Sequence, residues 1–86
     1  MALTHEEIFE RVREAFREEL GEEAVAELTE DMGLEEDLGV DSLDAVALVM
    51  QIEDVFGIKI SDEDAKALKT VGQVVDYVSG HQPQTA

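Results

Sequence analysis

Cysteine is absent from the 86 residues. No disulfide or thiolate metal site can therefore staple the chain, which excludes the usual scaffold of a small secreted domain. Any thiol chemistry must come from a group added to it. Basic residues are scarce as well: six Lys and Arg stand against 22 Asp and Glu, for a formal charge of −16. Nucleic acid and anionic membrane both demand the opposite sign, so neither fits as a partner, whereas a basic protein patch does. No apolar run is long enough to span a bilayer as a helix. The opening residues, Met1 to Glu7, have neither the basic start nor the apolar stretch of a signal peptide. These absences point to a cytoplasmic, soluble monomer. Repeats and low-complexity segments are missing too, and a chain of this length makes one domain with one core, burying only about 60% of the surface its unfolded form exposes.

What is present reads mainly as helix. Thr4 and Glu7 form a capping box, after which Ile8, Val12, Ala15, Phe16 and Leu20 recur at helical spacing up to Gly21. Residues 22–40 read as a long connection; Ala24, Val25 and Leu28 allow one extra helical turn, and Gly33, Gly39 and the acids Glu35, Glu36 and Asp37 read as irregular chain. Asp41 is a good N-cap for a second helix that begins at Ser42 and stops at Gly57. In it Leu43, Val46, Ala47 and Met50 make one stripe, widened by Ala45, Val49, Ile52 and Phe56. A helix this apolar is expected to be covered on most of its circumference and so to be the central one. After a brief extended piece at residues 58–60, Ser61 and Asp64 start a short helix with Ala65, Ala67 and Leu68. Thr70 and Gln73 box a last helix whose Val71, Val74, Val75 and Val78 face inward. The expected fold is all-α: a small four-helix bundle of three main helices and one short one, with a long first loop. Its domain covers residues 1–80, with helices at about 4–20, 42–56, 62–68 and 70–79, and residues 81–86 form a disordered tail.

Ser42 is the residue of chemical interest. It stands where a loop enters a helix, so its hydroxyl is expected to be exposed on a firm base. The helix start also favours an anion there by about 0.3–1 kcal/mol. A phosphodiester on Ser42 would suit that position; so, equally, would a serine that only helps to cap. Three other readings compete. A serine hydrolase lacks its Gly-x-Ser-x-Gly elbow, and the two histidines, His5 and His81, lie near the ends of the chain. A calcium loop fails on spacing: counted from Asp37 the sixth and twelfth positions are Ser42 and Leu48, and counted from Asp62 the sixth is Ala67. A plain helical interaction domain accounts for the bundle and the charge but gives Asp41-Ser42-Leu43 no role.

The wider pattern resembles a known family. Leu38-Gly39-Val40-Asp41-Ser42-Leu43-Asp44 resembles the attachment motif of the acyl carrier proteins, most closely the freestanding carriers of fatty-acid synthesis. The stretch from Val46 to Ile60 resembles their second helix and its exit, while Ser61 to Asp64 and Thr70 to Val78 resemble the helices that follow. The resemblance implies a carrier rather than an enzyme. It implies that Ser42, flanked by Asp41 and Leu43, receives 4′-phosphopantetheine from coenzyme A through a phosphopantetheinyl transferase. The arm's thiol would then hold acyl groups as thioesters. It further implies that Val46, Leu48, Met50 and Ile60 shelter the acyl chain. Asp44, Glu53 and Asp54 would meet basic docking patches on acyltransferases and on fatty-acid or polyketide synthase enzymes. Ala47 and Val55 depart from the fatty-acid pattern, where acids are common, and this bears on the set of partners.

Acids at this density repel one another in the folded state. Added salt or Mg²⁺ is therefore expected to raise the melting temperature, and a melting temperature indifferent to both would refute the self-repulsion.

Overall fold

The computed structural model describes residues 3–81. Five helices follow in order: α1 (His5–Leu20), α2 (Glu22–Val25), α3 (Ser42–Phe56), α4 (Asp62–Ala67) and α5 (Val71–Gly80). No strand forms among the described residues; a single antiparallel bridge joins Gly33 and Thr70. The fold is the all-α bundle expected, with the extra turn of the first loop realised as α2. Of the tail expected at residues 81–86, only His81 falls within the described residues.

Local chemistry fixes the helix starts. Thr4 and Glu7 close their capping box on α1, and Thr70 and Gln73 close theirs on α5. Asp41 Oδ1 accepts from Asp44 N at 2.9 Å, and Ser61 Oγ from Asp64 N at 3.1 Å. Gly57 ends α3 in the left-handed region, with φ +65°, which an L side chain enters only at a cost.

The core is assembled from Ile8, Val12, Ala15 and Phe16 of α1, Leu48, Ile52 and Phe56 of α3, and Val71, Val74, Val75 and Val78 of α5. Val25, Leu28, Val40, Ile58 and Ile60 fill in from the connections. Helix α1 packs on α2, α3 and α5, which makes it the shared neighbour of the bundle. The expectation that α3 is central is thus corrected. One face of α3, through Leu48, Ile52 and Phe56, is buried. The stripe headed by Leu43, Val46 and Met50 lies outside, with exposures of 81%, 60% and 60%. Apolar content alone did not distinguish a face packed on α1 from a face left to solvent.

The first loop is strapped to the start of α5. Val71 N donates to Met32 O at 3.0 Å, Gly72 N to Glu30 O at 2.9 Å, and Leu34 N to Lys69 O at 2.9 Å. A Cβ on Gly72 would lie 3.0 Å from Glu30 O, so a side chain would push this strap away. The Glu30 carboxylate also reaches back to His5 Nε2 at 2.8 Å. The hydrogen bond to Glu30 and that residue's charge hold the His5 pKa above its ordinary 6.5, with smaller help from Asp76 and Glu6. The folded chain therefore binds this proton more tightly than the unfolded one. The stabilisation is complete below 6.5 and fades as pH rises through the raised value. Exchanging His5 for Gln is expected to lower the melting temperature more at about pH 6 than at about pH 8. An equal loss at both would show that the pair does not contribute.

Candidate functional site

Ser42 is the first residue of α3 and is exposed. Asp41 performs the capping, so the Ser42 hydroxyl is not spent on the helix end, and no hydrogen bond joins it to another described residue. Gly39, at φ +68°, turns the loop just before this point. Neither histidine is disposed as a base for Ser42: His5 is paired with Glu30, and His81 Nδ1 lies 2.8 Å from Tyr77 O with its ring stacked on Tyr77. The hydroxyl stands free at a polarised helix start without the partner that would make it a nucleophile of its own.

From Ser42 an open groove of about 510 Å³ runs between α3 and α4. Ala45, Val46, Val49 and Met50 of α3 line one side, Asp62, Ala65 and Lys66 of α4 the other, and Ile60 closes it between them. Behind it lies a smaller recess of about 30 Å³, almost wholly apolar, reaching Phe16, Leu48 and Ile52. Ala45, Val49, Ile60 and Ala65 border both spaces. A third hollow, between α1 and α2, is lined by Glu10, Arg13, Glu14, Arg17 and Glu22. Its arginines are already engaged: Arg13 Nε donates to Val25 O at 3.2 Å, and Arg17 pairs with Glu14 and Glu22.

The residues singled out by sequence are brought together unevenly. Asp41, Ser42 and Leu43 sit at the head of α3, all exposed. Val46, Met50 and Ile60 line the groove, whereas Leu48 is buried and faces the recess. Of the three acids, Asp54 is exposed and Asp44 half-buried. Glu53 turns inward, and its Oε2 accepts from Ile60 N at 2.8 Å, tying the exit of α3 to the groove floor. The groove residues Ala45, Val49, Ala65 and Lys66 were not singled out. Ala45 and Val49 stood in the apolar pattern of their helix, but nothing in the sequence placed α4 opposite them.

A phosphate ester fits this place: its acceptor hydroxyl is exposed and free, the first turn of α3 offers a positive pole, and an apolar groove adjoins. The geometry suits a carrier module, a small helical body with an exposed serine hydroxyl at a helix start beside an open groove. Comparison with known proteins agrees. Residues 10–78 match the family model described as the phosphopantetheine attachment site. The chain is 49% identical over 76 residues to an acyl carrier protein of Exiguobacterium sibiricum, covering 88% of this chain and 95% of that one. It is 41% identical over 80 residues to those of Lactobacillus johnsonii and Rubrobacter xylanophilus, covering 93% of this chain and 99% and 98% of theirs. The chain belongs to the acyl carrier protein family, whose members are carriers, not enzymes, and whose prosthetic group is phosphopantetheine. No helix among the described residues is long and apolar enough to cross a membrane.

Proposed function

We propose that Ser42 Oγ is the atom that takes 4′-phosphopantetheine, and that the chain carries acyl intermediates of fatty-acid synthesis on this arm. The observation that carries the reading is the position of Ser42: exposed, uncommitted, and at the head of an apolar groove. The bound arm supplies the thiol that the sequence lacks. The chain's own residues supply the rest. Asp41 fixes the helix start, Leu43 stands exposed beside Ser42, and Val46, Met50 and Ile60 offer apolar surface to the acyl chain, with Leu48 behind them. The similarity to acyl carrier proteins supports the carrier role, and the Asp41 to Asp44 pattern supports the fatty-acid assignment. A specialised pathway such as polyketide synthesis is the second reading, favoured by Ala47, a methyl on α3 where fatty-acid carriers commonly place an acid.

Delivery to partners belongs to the same proposal. Leu43, Val46 and Met50 form an exposed apolar strip on α3, flanked by Asp44 and Asp54. Such a strip suits a basic, apolar-lined patch on a transferase, acyltransferase or synthase, with charge steering the encounter. Glu53 contributes charge while bound to Ile60 N. A cytoplasmic monomer fits this visiting role.

The test is the intact mass of the chain after incubation with coenzyme A and a broad-specificity phosphopantetheinyl transferase. A gain of one arm, mapped to the Ser42 peptide, is expected; folded, initially unmodified protein that gains nothing would sink the proposal. Charge reversal in Asp44→Lys is expected to slow the transferase at low salt by about tenfold, with the difference shrinking as salt is added. A rate insensitive to the reversal would remove Asp44 from the docking surface.

A further inference from the structure

Helix α4 is the least anchored wall of the groove. It has six residues, none of them buried, and its N-cap at Ser61 is local. Its apolar hold on the bundle is confined to half-buried Ala65 and, just past its end, Leu68. Helices shorter than about 12–15 residues are marginal in water by themselves, so this one must be held from outside.

Its flanks are pinned. On one side Glu53 Oε2 accepts from Ile60 N at 2.8 Å. On the other, Gln73 Oε1 accepts from Lys69 N at 2.6 Å, and Lys69 O accepts from Leu34 N at 2.9 Å. Between these points, one side-chain hydrogen bond among the described residues joins α4 to another helix. Tyr77 of α5 donates its hydroxyl to Asp64 Oδ2 at 2.7 Å, in a partly buried setting. The Tyr77 ring is itself steadied by His81, stacked at 4.0 Å between centroids with 9° between planes. The bond is charge-assisted and short, the kind that outweighs a neutral pair. It also raises the Tyr77 pKa, with burial adding to the effect, so the phenol stays protonated and available as the donor.

We propose that Tyr77 is a positioning residue for the acyl groove: its hydroxyl, through Asp64, holds α4 in place as the outer wall and so governs how well an acyl thioester is shielded from water. This rests on the reading of Ser42 and the groove given above. The consequence of releasing the tie is local. With both flanks pinned, α4 alone moves, and Ala65 moves with it. Ala65 borders both the groove and the recess behind it, so its displacement joins the two spaces and exposes the recess to solvent.

Amide hydrogen exchange of the full, unmodified chain tests the tie, comparing wild type with Tyr77→Phe, Asp64→Ala and Asp64→Asn. Phenylalanine keeps the ring and its stack, while asparagine keeps a carbonyl oxygen able to accept. Amides of residues 65–68 are expected to exchange about tenfold faster in Tyr77→Phe and Asp64→Ala, and to be accelerated less in Asp64→Asn, which keeps a neutral acceptor. Exchange in α1, α3 and α5 is expected to stay unchanged. The second readout is cleavage of an octanoyl thioester, loaded on the arm, by hydroxylamine; it is expected to run about threefold faster in Tyr77→Phe. Unchanged exchange in α4, or a rise spread evenly over all helices, overturns the tie. Faster exchange with unchanged cleavage overturns its role in shielding. Failure to load Ser42, seen beforehand as an unchanged intact mass, overturns the acyl reading itself, and the exchange result still decides whether Tyr77 holds α4.

Discussion

With Ser42 replaced by alanine, the chain is expected to gain no phosphopantetheinyl mass while melting within about 4 °C of the wild type. Both halves of this expectation follow from one division of labour. The end of α3 is capped by Asp41, whose Oδ1 takes the Asp44 N–H at 2.9 Å, and Ser42 contributes only backbone to the helix. Its side chain is exposed, so removing the hydroxyl leaves neither a cavity nor an orphaned partner. Alanine is also the better helix former, which offsets any small loss. The contrasting variant is Asp41→Ala. It removes the cap and is expected to cost about 1 kcal/mol, within the range of about 0.5–2 kcal/mol typical of capping residues, while leaving the hydroxyl in place. Intact mass and thermal melting on the two variants separate chemistry from scaffold. Mass gain in Ser42→Ala would move the attachment to another hydroxyl, such as Ser61 or Ser79, and would detach the groove from the arm.

Truncating Phe16 to alanine is expected to cost about 3–5 kcal/mol. For 86 residues, at about 0.05–0.15 kcal/mol per residue, the whole fold is worth about 4–13 kcal/mol, so the variant loses from about a quarter to all of it. Phe16 is 1% exposed and lies on α1, the helix that α2, α3 and α5 share. It also borders the apolar recess with Leu34, Leu48, Ile52 and Val74. Deleting the ring enlarges a space that is already incompletely filled, and an apolar hollow gains little from admitting water. Urea denaturation followed by helix circular dichroism measures the loss, with Phe16→Leu as the milder control. A cost below about 1 kcal/mol would mean that α1 is not the packing hub described.

Much of this architecture was legible because its determinants are local. Thr4 with Glu7, Thr70 with Gln73, Asp41 and Ser61 all act within three residues of themselves, and each is found capping a helix. The inward sets of α1 and α5 follow from helical spacing against a polar opposite face, and Ile8, Val12, Val71 and Val75 are fully buried. Helix α3 defeated the same reasoning because it is apolar nearly all round. Spacing gathers Leu43, Val46 and Met50 with Ile52 and Phe56 into one broad apolar surface, and which part of it meets α1 is decided by the rest of the fold. The ties that shape the groove were out of reach for a further reason. Glu53 to Ile60, Asp64 to Tyr77 and His5 to Glu30 span 7, 13 and 25 residues, and each joins an acid to a donor that no local pattern pairs with it. Ser42 itself drew notice through its motif and its place at a helix start, while the groove that gives the place meaning depends on where α4 folds back.

The position of α1 has a consequence for the order in which this chain acquires its structure on the ribosome. Helix α1 is synthesised ahead of the other four, yet its partners α3 and α5 begin at Ser42 and Val71. Until α5 emerges, α1 has only α2 and α3 to pack on, and part of the surface that buries Ile8, Val12 and Phe16 is missing. Domains generally fold as units, and here the unit closes only when a late segment returns to the earliest. Growing chains that pause before residue 71 are therefore predicted to be held open, available to chaperones and proteases. Ser42 reaches its finished setting only after the bundle around it has closed.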